Sequence, residues 1–203
     1  MDDGALLAAW RDGDRRAGAA LFDRYFMAVM RFFRNKVDEG RLDDLIQQTM
    51  LGLLEARDSY RGTGSLRSFV FGIAFNVLRN HYRAAIRDEG KLDFGVTSIG
   101  DLAPGPAEVL AQHHEQRLLL QALRRIPIDH QVLLELYFWE SLPAAEIAEV
   151  LAVPEGTVRT RIRRAKALLE VELRACSADP RLVEATLSGL ETWARSLRGA
   201  ASG

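Results

Sequence analysis

Arg159, Thr160, Arg163, Arg164 and Lys166 crowd one short stretch of the segment Ser141–Leu169, SLPAAEIAEVLAVPEGTVRTRIRRAKALL. Guanidinium groups grip guanine O6 and N7 in pairs of hydrogen bonds and also pair with phosphates, so this is chemistry of recognition rather than of bond-making. At helical spacing Arg159, Arg163 and Lys166 share one side, with Thr160 and Arg164 beside it. Val158, Ile162, Ala165 and Leu169 make a different, apolar side. A helix apolar behind and cationic in front suits a DNA major groove. A solvated surface helix divides its faces in the same way. The density of guanidinium in the first turns, and the short helix ahead of it, favour DNA.

That short helix places Ala144, Ile147, Ala148 and Leu151 on one face, with Val153 as an apolar plug in the turn. Pro154 and Gly156 mark the turn, and Thr157 is predicted to cap the second helix through its hydroxyl.

A second constellation lies upstream. Asn76, Arg79, Asn80, Arg83 and Arg87 follow helical spacing as one polar, mostly cationic stripe. Phe71, Phe75, His81 and Tyr82 flank it, the loop Tyr60–Ser65 precedes it, and Phe69, Ile73 and Val77 are predicted to face inward. Aromatic faces beside cations suit unstacked single-stranded bases. The competing reading makes the aromatics core and the arginines a solvated face. His113 and His114 adjoin, but neighbours on a helix point apart and no cysteine is near, so no metal site is expected. No nucleophile–base pair, P-loop or glycine-rich nucleotide fingerprint occurs, so the residues support neither an enzyme nor a cofactor.

The elements that must position these groups read as helices throughout. The chain has 203 residues, 48% of them hydrophobic, and a net charge of −1, so cationic chemistry must come from local patches. One cysteine, Cys176, excludes an internal disulfide and fits a reducing cytoplasm; no apolar run reaches membrane-span length, and the start resembles no signal peptide. Helices are predicted around Gly4–Trp10, Arg16–Lys36, Arg41–Ala56 and Ser65–Arg87. Asp88–Ala111, rich in glycine and proline with little period, reads as a linker. The expected architecture is all-α: a first domain at 1–87, the linker at 88–111, a second domain at 112–174 and an extension at 175–203. The extension carries an amphipathic helix over Asp179–Arg198, with Leu182, Leu187, Leu190, Trp193 and Leu197 on its apolar side. It either docks on the second domain or acts as a regulatory segment.

Over residues about 5–173 the chain resembles a bacterial sigma factor of the extracytoplasmic-function (ECF) group in the sigma-70 family. The resemblance is carried by LLAAWRDGDRRAGAALFDRYF, DDLIQQTMLGLLEA, YRGTGSLRSFVFGIAFNVLRNHYR and IPIDHQVLLELYFWESLPAAEIAEVLAVPEGTVRTRIRRAKALL, in that order. EGTVRTRIRRAK is the most specific of these strings.

The resemblance implies a sigma region 2 bundle and a sigma region 4 helix-turn-helix, acting with core RNA polymerase on promoter DNA. Arg159, Thr160 and Arg163 match the positions that read the −35 duplex, while Thr157, Arg161, Arg164 and Lys166 match phosphate contacts. Tyr60, Gly64, Ser65 and Asn76 match the residues that capture a flipped −10 base, with Arg79 and Arg83 along the melted strand. Asp43, Asp44, Leu45, Gln47 and Gln48 match the segment that docks on the β′ clamp helices, and the second domain is placed near the β flap. An anti-sigma factor and a Ser/Thr kinase acting on Thr49 are further implied or suggested partners, and cytoplasmic, nucleoid-associated localisation follows. The chain departs from the family pattern at Gln48, Met50, Gly72, Gln131 and Pro143. The alternative function is a stand-alone helix-turn-helix regulator with an N-terminal sensor domain. A helical interaction protein with basic stripes is a third reading.

Overall fold

The computed structural model describes residues 1–85, 92–102 and 114–199, and their side chains except those at 85, 114, 191 and 193–199. Among the described residues the secondary structure is helical, apart from an isolated bridge between Ser98 and Pro127. The chain divides into two units, Met1–Ala85 and Ile86–Gly203. Arg87, the junction histidines' surroundings and most of the expected linker lie outside the described residues.

The first unit contains α1 (Asp3–Arg11), α2 (Arg15–Arg34), α3 (Glu39–Ala56) and α4 (Leu66–Ala85). Asp2 caps α1 by accepting the Ala5 N–H at 2.8 Å, and Asp14 caps α2 by accepting the Arg16 N–H at 2.8 Å. Between these helices the Trp10 ring lies directly on Gly18, where a Cβ would come within 2.4 Å of the indole nitrogen. Leu21, Tyr25, Val29 and Phe33 of α2 meet Leu45, Ile46 and Leu53 of α3 and Val70, Phe71, Ala74 and Leu78 of α4 in one core. Lys36 is buried whole. Its ammonium donates to the Phe32 carbonyl and sits 4.2 Å from the Phe32 ring centroid, while the Tyr82 hydroxyl donates to the Lys36 carbonyl. These bonds tie the end of α2 to the second half of α4.

The second unit contains α5 (Ile99–Leu102), α6 (His114–Leu123), α7 (Ile128–Phe138), α8 (Ala144–Leu151), α9 (Glu155–Cys176) and α10 (Pro180–Gly199). α7 is buried nearly all round, through Ile128, Val132, Leu133, Leu134 and Leu136 among others, and is the unit's axis. The turn after α8 runs through Ala152 at φ 54°, a left-handed conformation that costs a residue with a Cβ ~1–2 kcal/mol. The Ala152 N–H bonds the Ala148 and Glu149 carbonyls, so the turn is a helix C-cap built without the usual glycine. Pro143 is the N-cap of α8, and Gln131 is fully buried, with its amide donating to Glu135 at 3.0 Å.

Residues 92–102 depart from the linker expectation. Phe94 and Ile99 are buried, the Gly100 N–H donates to the Arg124 carbonyl at 2.7 Å, and the first free N–H groups of α7, on Ile128 and Asp129, donate to the Thr97 and Phe94 carbonyls. The segment is a strap that caps the central helix, supplying the acceptors that a helix N-terminus lacks. Asp101, held low in pKa by side-chain and backbone hydrogen bonds from Ser98, closes its own turn. α10 packs on α6, α9 and α7 through Val183, Thr186 and Leu190, with Leu182 and Leu187 half-buried. This matches the docking alternative for the extension; the side chains of Trp193 and Leu197 lie outside the described residues.

If the strap is structural, Phe94→Ala destabilises the second unit by about 3 kcal/mol, the usual cost of emptying a phenylalanine site. Denaturant unfolding checks this; an unchanged midpoint would return residues 92–102 to the role of tether.

Candidate nucleic-acid interface

α9 presents its groups by face. Val158, Ala165, Leu169 and Leu173 are buried and Ile162 half-buried, which turns Arg159, Thr160, Arg163 and Arg164 outward. Arg159 and Arg163 make no ion pair or hydrogen bond among the described residues. Two unpaired guanidiniums on one side of a helix's first turns are ready to meet an acceptor edge or a phosphate. Thr157 does not cap the helix. α9 begins at Glu155 with Pro154 as N-cap and no side-chain cap bond, so Thr157 lies one turn inside, half-buried. Proline's fixed φ starts the helix earlier than a hydroxyl search suggests.

Arg161 and Lys166 leave the outward face on opposite flanks of the buried stripe. Arg161 lies 3.9 Å from Asp129 at the start of α7, and Lys166 stands over the Phe138 ring at 4.9 Å, near its end. α7 thus passes behind α9 with each of its ends met by a cation. Both cations support the unit itself, which removes Arg161 from the set of side chains aimed straight outward. His130, on the first turn of α7, is buried and neither ring nitrogen finds a partner among the described residues. Burial, then the charges of Arg164 and Arg161, hold its pKa below the ordinary histidine value.

In the first unit the loop between α3 and α4 is fixed from two sides. Arg11, at the end of α1, donates to the Arg57 carbonyl at 3.0 Å and to the Tyr60 carbonyl at 2.7 Å. Within the loop the Tyr60 hydroxyl donates to the Gly64 carbonyl, and Gly62 takes φ +73°, open to residues without a Cβ. Ser65 is the cap of α4: its hydroxyl accepts the Ser68 N–H at 3.1 Å. Asn76, Asn80 and Arg83 are exposed on α4, and Arg79 is half-buried with its guanidinium 5.5 Å from the Phe75 centroid. The polar stripe therefore exists, but of its expected aromatic flanks only His81 stays partly exposed. Phe71, Phe75 and Tyr82 are core residues, whereas Phe69, Ile73 and Val77 are half-buried. Apolar residues wrap most of the first turns of α4, so their spacing leaves its rotation undetermined. At the loop and the start of α4, Tyr60 and Phe69 are partly exposed, and their rings pair at 5.0 Å.

Arg11 was not visible as a site residue. Nor was the cavity of about 560 Å³ below the loop, bounded by Asp3, Leu7, Arg24 and Tyr25 together with Tyr60 and Ser65.

α3 carries the third candidate surface. Asp43, Asp44, Gln47 and Gln48 are exposed as expected, but Leu45 is 3% exposed and belongs to the unit's own core. Leu45, Ile46, Thr49 and Leu53 fall on the inward side. The apolar groups that do reach the surface of this helix are Leu51 and Leu54, 48% and 39% exposed. Thr49 is fully buried and its hydroxyl donates to the Leu45 carbonyl at 2.8 Å, so a kinase acting on the folded chain has no access to it. No group of histidines, cysteines or carboxylates suited to a metal occurs among the described residues, and no described helix is long and apolar enough to cross a membrane.

A helix-turn-helix with a bare arginine face, in a chain with a second helical unit holding a braced loop above a cavity, is a nucleic-acid-binding architecture. Two family models match it, sigma-70 region 2 over residues 21–87 and sigma-70 region 4 over residues 116–169. The ECF RNA polymerase sigma-E factor of Haemophilus influenzae is 27% identical over 184 residues, covering 86% of this chain and 96% of that protein. The sigma-E factor of Escherichia coli is 27% identical over 178 residues, covering 84% and 93%. The chain belongs to the sigma-70 family, in its ECF group. Among solved structures, CnrH in complex with the cytosolic domain of CnrY superposes with a TM-score of 0.63 at 24% identity, over 86% of this chain and 99% of that one. The sigma factor RpoE from Bartonella quintana, in complex with the anti-sigma factor NepR, gives 0.59 at 18%, over 79% and 97%. These two likenesses concern the fold.

Two outcomes follow. The buried, depressed His130 binds its proton less readily folded than unfolded, so stability falls as pH drops below about 6.5, the unfolded value, and goes on falling to the lower folded value. Chemical denaturation from pH 7.5 to 5 should show this slope, and His130→Leu should reduce it. Thr49→Asp places a carboxylate in the core and is expected to cost the first unit several kcal/mol. A thermal melt unchanged from wild type would restore Thr49 as a modification site.

Proposed function

We infer that this chain is an alternative sigma factor, directing RNA polymerase to specific promoters and promoting the melting that begins transcription. The observation that carries the reading is the outward, unpaired Arg159–Arg163 face, held on a helix-turn-helix in a chain of the ECF group. On this reading Arg159, Thr160 and Arg163 read base edges of the −35 duplex, and Arg164 meets phosphate. Each bidentate arginine–guanine pair is worth roughly 1–3 kcal/mol of discrimination. Arg161 and Lys166 also hold α9 at its angle on α7 through Asp129 and Phe138, while Thr157 is kept as a phosphate contact.

The first unit receives the −10 element. Tyr60, with Phe69 beside it, offers the stacking face, Gly64 and Ser65 shape the loop, and Asn76, Arg79 and Arg83 follow the displaced strand. Extruding a base costs a few kcal/mol, which these contacts must offset. The docking surface for the β′ clamp helices is the exposed side of α3, with Asp43, Asp44, Gln47 and Gln48 supplying polar contacts and Leu51 and Leu54 supplying the buried area assigned in sequence to Leu45. The factor performs no bond chemistry of its own, acts where the polymerase is, in the cytoplasm at the nucleoid, and is open to an anti-sigma partner. The stand-alone regulator is not favoured, because the first unit matches region 2 rather than a sensor.

Run-off transcription with purified core polymerase and a library of −35/−10 promoters tests this. Promoter-specific transcripts appearing only with the factor are expected; a duplex shift without core and no initiation would establish the regulator instead. Leu51→Glu should lower core-polymerase affinity tenfold or more at unchanged melting temperature, about 1.4 kcal/mol of lost interface. Arg159→Ala should leave core binding intact and reduce discrimination at one −35 position.

A further inference from the structure

Arg11 is the last residue of α1, and its guanidinium lies against the loop between α3 and α4, bonding residues 46 and 49 positions further along the chain. We propose that Arg11 is a positioning residue for the melted strand. By clamping two carbonyls it holds the Tyr60–Ser65 loop in its strand-receiving shape before DNA arrives. The proposal rests on the initiation-factor reading of the same loop.

The clamp answers a deficit at the end of α3. Arg57 is the C-cap of that helix, and α3 has no basic residue in its last turn. The final carbonyls of a helix lack intrahelical donors, and its negative end favours a cation. Arg11 supplies both from α1. Its Nε and Nη2 donate to the Arg57 carbonyl, and Nη2 also donates to the Tyr60 carbonyl at 2.7 Å. One planar edge thus spans the helix end and the loop, a geometry that the compact ammonium of lysine does not reproduce. Asp58 lies 3.9 Å from Nε and is largely exposed, so the ion pair adds little to the carbonyl bonds.

Arg11 serves as a fixed point because α1 is itself pinned to α2. At the start of α1, Arg24 donates to Asp3 Oδ1 and the Tyr25 hydroxyl donates to Oδ2. At its end the Trp10 ring is buried against Gly18, edge-on to Phe22 at 5.3 Å. The Arg57 guanidinium stands 5.1 Å from the same indole, so both ends of the clamp are referred to Trp10. The loop needs this outside support, because Gly62, at φ +73°, has conformations open to it that other residues lack. With Arg11 in place, Tyr60 is held at its carbonyl, at its hydroxyl by the Gly64 carbonyl, and at its ring by Phe69. A loop that adopts its bound shape a tenth as often binds about tenfold more weakly, with every direct contact unchanged.

The test uses holoenzyme assembled from core polymerase and the full chain, bound to a forked promoter with an unpaired −10 non-template strand and, separately, to a −35 duplex. Arg11→Lys keeps the charge without the fork, and Arg11→Met keeps the stem without either. Both should weaken capture of the forked promoter roughly tenfold. Core affinity, −35 binding, melting temperature and the slope of fork binding against salt should stay as in wild type. Amide hydrogen exchange in the free full chain should accelerate over residues 57–65 in both variants and stay slow in α2. Wild-type capture by Arg11→Lys, with a loss and a shallower salt slope in Arg11→Met, would make Arg11 a phosphate contact and overturn the proposal. Capture that falls in step with core affinity or melting temperature, the mark of a general loss of fold, overturns it too. Unchanged loop exchange overturns it with no DNA present. Absence of promoter-specific initiation by wild-type holoenzyme would instead sink the initiation-factor reading, and the exchange measurement judges the clamp apart from that reading.

Discussion

The rotation of α9 about its own axis is fixed by Val158, Ala165, Leu169 and Leu173, which leave water against the rest of the second unit. With that stripe inward, the angle of every arginine on the helix is determined, because successive residues step round by a fixed amount. Arg159 and Arg163 go outward, Arg161 falls to Asp129, and Lys166 falls to Phe138. The binding surface is thus a by-product of core packing. Its precision depends on α7, the buried axis, and through α7 on the strap at residues 92–102 that caps it.

The first unit applies the same constraint to a different end. α3 and α4 each spend one face on a common core, and what they can offer a partner is whatever remains outside. α3 keeps Asp43, Asp44, Gln47, Gln48, Leu51 and Leu54 there, among others; α4 keeps asparagines and cations. The loop between them takes its form from Arg11 across the unit, from Gly62 and from the Ser65 cap. The groups held for recognition in each unit stand on that unit's own scaffold, and in the first unit the buried Lys36 and Thr49 bond backbone carbonyls.

Much of this was legible in the sequence. The helix-turn-helix showed itself because its apolar stripe is narrow and its arginines dense, so the spacing has one solution. The helices of the first unit were found close to their observed limits, since turn-forming residues such as Gly13-Asp14 and the loop Asp58–Gly64 break the apolar runs between them. The errors have physical sources. Leu45 was drawn into the partner surface because a motif string runs along a helix through all its faces, and only one face is outside. The rotation of α4 was misjudged because Phe69, Val70, Phe71, Ile73, Ala74 and Phe75 leave too little polar surface to set a phase. The strap looked like a tether because its buried apolar anchors, Phe94 and Ile99, show no period between them, and its backbone hydrogen bonds leave no mark in the sequence. Arg11 and Asp3 gave no signal, since their roles depend on contacts across 46 and 21 residues of chain.

The central claim is that one chain carries a duplex reader and a single-strand reader, and that together they open DNA only on the polymerase. Permanganate reactivity of thymines across a cognate promoter tests this most directly. The account predicts reactive thymines at the −10 element with factor and core polymerase together, and none with either alone. Reactivity that is absent from the complete mixture, while the chain alone protects the −35 duplex, would contradict it.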